Sequence, residues 1–128
     1  VAVAWCFEDE ASPPTDALLQ RVRDGGGLVP TLWYWEVANV LTFAVRKKRL
    51  SADAAATRFS LLQALPITTD PEAQRRAWRE TFLLAQAHTL TAYDAAYLEL
   101  ARRTGLPLAS KDGDLRNAAR NIGVEVLP

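Results

Sequence analysis

The chain has 128 residues, 49% of them apolar, so it can bury one hydrophobic core and is not a disordered polymer. Fifteen basic and fifteen acidic residues cancel, which excludes the strongly basic profile of a general nucleic-acid binder. A single cysteine, Cys6, excludes an internal disulfide, and one cysteine with one histidine argues against a structural zinc site.

The elements alternate along the chain. A first helix is expected over residues 2–8. A second, Thr15 to Asp24, is introduced by Pro13-Pro14 and stopped by Gly25-Gly26-Gly27. Leu28-Val29 reads as a short buried strand. The next helix runs from about Pro30 to Arg49, with Trp33, Val37, Val40, Leu41 and Ala44 as its buried stripe. Ser51-Ala52-Asp53 caps another helix that ends before Pro66, and Ile67-Thr68-Thr69 is a strand. Asp70-Pro71-Glu72 opens a long helix through about Ala87, with Pro71 at its first position. A helix over Leu90 to Ala101, a strand at Leu106 to Ala109, a helix from Leu115 to Ile122 and a strand at Val124-Glu125-Val126 complete the chain. Short strands alternating with helices predict an α/β fold with a mainly parallel sheet. There is no repeat, linker or low-complexity tract, so residues 1–128 read as a single domain. No apolar run approaches 18 residues and no secretory leader is visible, so neither a membrane span nor export is expected. Cys6 fits a reducing, cytoplasmic setting.

Three acids stand out. In the Leu90 to Ala101 helix, Ala96, Tyr97, Leu100 and Ala101 make an apolar stripe widened by Leu98, and Asp94 falls on that side. Glu99, Arg102 and Arg103 are expected on the polar side. A carboxylate facing the body of a domain needs a hydrogen bond, a partner or a metal. The alternative is capping, because Thr91-x-x-Asp94 resembles a capping box. Asp112 follows the Leu106 strand in Ser110-Lys111-Asp112-Gly113-Asp114, at the edge where open parallel sheets hold ligands. Either Asp112 or Asp114 also suits the N-cap of the helix that follows. Glu36 lies on the border of its helix's buried stripe, beside Asn39. Its plain reading is a solvated first-turn acid.

The cations cluster at Arg46-Lys47-Lys48-Arg49, at Arg75, Arg76 and Arg79, at Arg102-Arg103, and at Lys111, Arg116 and Arg120. The run at 46–49 reads as a solvated helix C-terminus. Lys111 and Arg116, next to Asp112, are the candidates for contacts to a phosphate-bearing ligand. His88 reads as a helix-end cap or packing residue. Trp33 reads as core, and the more exposed of Trp35 and Trp78 as an interface with another chain.

Together the segments resemble the PIN-domain ribonucleases, and among them the VapC-type toxins of VapBC toxin–antitoxin systems. Val1 to Glu10 looks like the first helix, Pro30 to Leu41 like the segment carrying the second acid at Glu36, and Leu90 to Ala101 like the segment carrying the third at Asp94. Leu106 to Leu115 looks like the end of the fourth strand, with Asp112 and the auxiliary Asp114. The resemblance implies a three-layer α/β/α sandwich and a divalent-metal endoribonuclease. Mg²⁺ or Mn²⁺ would be held by Glu36, Asp94 and Asp112, with Asp114 acting through water. Ser110 and Asn39 would orient the carboxylates. A VapB-like antitoxin and a homodimer are the implied partners. The family's first strand ends in an aspartate ahead of the Val1 segment, and neither appears here, so a preceding apolar stretch ending in Asp is expected. Without that acid, the rival reading is a catalytically silent PIN-like binding module.

Overall fold

The computed structural model describes residues 2–128. They form two compact units, one from Val1–Leu28 and Leu32–Thr68, the other from Val29–Thr31 and Thr69–Pro128. The architecture is α/β and predominantly helical, with short strands that pair two by two: β1 with β2, and β3 with β4.

In the first unit, 3₁₀ turns occupy Ala2–Trp5 and Glu8–Glu10 in place of the expected helix over 2–8. Phe7 is extended, and both Cys6 and Phe7 are buried. The Cys6 carbonyl, which a continuous helix would bond internally, accepts from Arg58 Nε at 2.9 Å. Burial pushes the Cys6 thiol up, with Glu10 assisting and Arg58 opposing. That suits an inert packing cysteine. Val1, which begins this segment, lies outside the described residues.

Helix α1 (Pro13–Gly25) starts from a Ser12–Thr15 capping box and ends where Gly26 turns left-handed at φ 84°. A Cβ there would meet the Pro66 carbonyl oxygen at 3.0 Å, so this position needs glycine twice over. Strand β1 (Gly27–Val29) follows, then α2 (Leu32–Arg46). Val37, Leu41 and Ala44 of α2 join Ala2, Cys6, Phe7 and Leu62 in one core, with Trp33 and Val40 packed against it. Helix α3 (Ala52–Gln63) is capped by Ser51, whose hydroxyl accepts the Ala54 N–H at 3.0 Å, and β2 (Ile67–Thr69) comes next.

In the second unit the long helix expected from residue 71 is interrupted. α4 covers Ala73–Arg76 and α5 covers Glu80–His88, with Arg79 at φ −143°, ψ −74° between them. Neither Gly nor Pro lies at the break, and buried Ala73, Thr81, Leu84 and Ala85 keep one helical phase across it. Periodicity therefore carries no trace of the interruption. Helix α6 (Ala92–Thr104) buries Ala95, Ala96, Leu98, Glu99, Leu100 and Ala101. β3 (Leu108–Ala109), α7 (Gly113–Asn121) and β4 (Val126–Leu127) form a βαβ unit, with Leu108 opposite Val126 in parallel register. The core gathers Leu84, Ala85, Ala95, Leu98, Ala101, Leu108, Leu115, Ala118 and Ala119. Its alanines let α5, α6 and α7 approach closely.

Glu99 is a correction to the sequence reading. It is buried, because α6 is covered on more than one side. Its charge is matched by Arg103, which donates from Nε to Glu99 Oε1 at 2.8 Å and from Nη2 to Asp70 Oδ2 at 2.5 Å. No helix of the described residues is long and apolar enough to cross a membrane.

Candidate functional site

Asp94 enters the site from the first turn of α6. Thr91 caps that helix, its hydroxyl accepting the Asp94 N–H at 3.1 Å. Thr91 thus does the capping, and Asp94 is half-buried. Burial raises the Asp94 carboxyl above the usual aspartate range, and the charges of Asp112 and Asp114 add to it. A hydrogen bond with the Thr91 side chain works against them.

Asp112 arrives from the loop after β3. It is the N-cap of α7, its Oδ1 accepting the Leu115 N–H at 2.8 Å, while its own N–H donates to Ser110 Oγ at 3.1 Å. Ser110 therefore orients the Asp112 loop through the backbone. Asp114 is exposed in the first turn of α7. Capping occupies one oxygen of Asp112 and leaves the carboxylate at the surface, so cap and ligand are compatible roles. Arg116 has a structural task that the sequence did not announce. Its Nη1 donates to the carbonyls of Ser110 at 2.7 Å and Leu127 at 2.8 Å, tying the Asp112 loop to β4. Lys111 is exposed beside Asp112.

Asp94, Asp112 and Asp114 thus share one electrostatic neighbourhood in the second unit, and none has a salt-bridge partner among the described residues. Glu36 and Asn39 lie exposed on α2 of the first unit, one turn apart. Among the described residues, no three His, Cys, Asp or Glu side chains are gathered closely enough to form a ready metal cage. The other sequence candidates have plain roles. His88 ends α5, half-buried, and Trp33 packs on the first unit's core with its ring edge-on to Tyr34 at 5.0 Å. Trp35 and Trp78 are 76% and 88% exposed.

Sequence reasoning missed the group formed by Asp70, Arg103 and Glu99. The i,i+4 spacing of Glu99 and Arg103 was its only local signal.

The PIN domain profile matches residues 1–121. The chain belongs to the PIN-domain family. No curated protein matches it significantly. PIN domains are nuclease-type domains, generally hydrolases that use divalent metals and act on nucleic acid. The donors of this PIN domain suit such an ion chemically. They are carboxylate oxygens, the ligands preferred by Mg²⁺ and Mn²⁺. Burial raises the Asp94 carboxyl, the charges of Asp112 and Asp114 add to it, and a bound cation would relieve that repulsion.

Proposed function

We propose that this PIN domain, extending over residues 1–128, is a divalent-metal-dependent endoribonuclease and the toxin of a type II toxin–antitoxin pair. The observation that supports it most is that the charges of Asp112 and Asp114 act on half-buried Asp94, in a chain matching the PIN family over residues 1–121.

Glu36, Asp94 and Asp112 would hold Mg²⁺ or Mn²⁺, with Asp114 contributing through water. When bound, such an ion lowers the pKa of water and neutralises charge on the phosphoryl oxygens. The chain's own residues do the remaining work. The Thr91 cap fixes the turn that presents Asp94, and the Ser110 hydroxyl and Leu115 N–H fix Asp112. Asn39 would orient Glu36. Lys111, and the part of Arg116 not engaged with carbonyls, would place RNA phosphates without reading sequence. The partners we propose are RNA, a VapB-like antitoxin and a second copy of the chain, in the cytoplasm. Trp35 at 76% exposure, Trp78 at 88% and Phe82 at 55% support protein partners, since aromatic side chains are enriched at interfaces.

The test is cleavage of a mixed RNA pool with Mg²⁺, with chelator, and by Asp94→Asn. Metal-dependent cleavage lost in Asp94→Asn is expected. Binding of RNA or antitoxin without cleavage under any metal would favour a silent binding module instead.

A further inference from the structure

One backbone feature beside Asp94 closes α5 at an unusual cost, its turn bringing the Thr89 and Leu90 N–H groups to the Ala85 carbonyl. Thr89, the residue after α5, sits in the left-handed region at φ 53°, ψ 46°. A β-branched residue there is a genuine outlier, because its branched Cβ crowds the following carbonyl. Glycine or asparagine would close the helix at lower cost. The other non-glycine residue with positive φ, Lys48, is unbranched and exposed.

Thr89 lines an open concavity of about 450 Å³ together with Ala85, Gln86, Leu90 and Thr91. Ala85 and Leu90 supply an apolar floor. The Gln86 amide and the Thr89 hydroxyl have no hydrogen-bond partner among the described residues. No charged side chain lines the space. Thr91 joins the concavity to the site, since the same hydroxyl holds the turn of Asp94. Neutral hydroxyl and amide groups over an apolar floor match a nucleoside, whose sugar hydroxyls and base edges are uncharged. They do not match a phosphate, which calls for cations.

We infer that this concavity is a subsite for one ribonucleotide next to the scissile phosphate, with Thr89 and Gln86 hydrogen-bonding its ribose, including the 2′-hydroxyl. The inference rests on the ribonuclease reading above. The subsite distinguishes RNA from DNA at one position, because the 2′-hydroxyl is the group the two polymers do not share. Thr89 and Gln86 are binding residues, so their loss raises KM and leaves kcat in place.

The experiment uses the whole chain and short RNA oligonucleotides, each carrying a single 2′-deoxy sugar at a successive position around the cut. For the wild type, one 2′-deoxy position is expected to raise KM roughly three- to tenfold, the worth of a neutral hydrogen bond. Thr89→Gly and Gln86→Ala should raise KM for all-RNA by a similar factor. Thr89→Gly should also erase the penalty at that one position. The melting temperature of Thr89→Gly should not fall, since glycine relieves the left-handed strain. Equal KM in wild type and both variants, or a 2′-deoxy penalty that survives both substitutions, overturns the subsite. Absence of RNA cleavage by the wild type would instead sink the ribonuclease reading on which it depends.

Discussion

Replacing Arg103 with methionine should cost this protein more than any change at the candidate site. Asp70 and Glu99 side chains are each 5% exposed, and Arg103 bridges them with bonds of 2.5 and 2.8 Å. Burial alone would push Asp70 up. The Arg103 hydrogen bond, the N–H groups of Glu72 and Ala73 and the Arg103 charge together hold it below the usual aspartate range. The two acids in turn keep the guanidinium firmly protonated, Glu99 most strongly. Methionine fills similar space but strands two buried carboxylates. Breaking a buried pair in this way costs about 3–5 kcal/mol. For a chain of this length that is a fall in melting temperature of roughly 10–20 °C. The pH dependence has a definite sign. In the wild type the depressed Asp70 pKa contributes stability above the normal aspartate range, lost only as pH falls through the depressed value. In Arg103→Met the same carboxyl is desolvated without a partner, so its pKa rises and protonation relieves it. The gap between wild type and variant should therefore be widest near neutrality and narrow as pH falls toward 4. Thermal unfolding of both proteins across that range, in chelator, measures it. A loss below about 1 kcal/mol at pH 7, or a gap independent of pH, would refute the argument that the pair is effectively buried.

Asp94→Asn should raise the metal-free melting temperature at pH 7. A carboxyl whose folded pKa is raised disfavours the fold as pH climbs through that interval, so the gain should vanish below the ordinary aspartate range. With Mn²⁺ present the order should reverse, because an ion bound only by the folded wild type stabilises it by mass action. Asp112→Asn should keep the α7 cap and lose RNA cleavage. Asp112→Ala should lose cleavage and also about 1 kcal/mol of stability, read by denaturant unfolding. If Asp112→Asn cleaves normally, Asp112 is only a cap. Gly26→Ala should destabilise measurably in the same assay, since both φ 84° and the Pro66 carbonyl oppose a Cβ.

Local chemistry determined much of this protein on its own. The Ser12 and Ser51 caps, the glycine stop at Gly26 and the 3.6-residue stripe of α2 each act within a few residues, so they are legible in the chain. The same holds for the acids placed at element starts, Asp94 after Thr91 and Asp112 after β3, and for the alternation that marks an α/β chain. Single-face analysis failed where an element is covered on several sides. Glu99 looks polar by phase yet is buried in α6, because an arginine one turn on neutralises it, and that arginine is held in place by an aspartate 33 positions away in sequence. The bond from Arg116 to the Leu127 carbonyl and the electrostatic meeting of Asp94 with Asp112 are of the same kind. Such contacts depend on which surfaces the packed helices bring together, and no local propensity encodes them. Tertiary structure also decided the break between α4 and α5 and the left-handed Thr89, since the intrinsic preference of each residue points the other way. Only the summed packing of the unit can hold a backbone where its own sequence would not go.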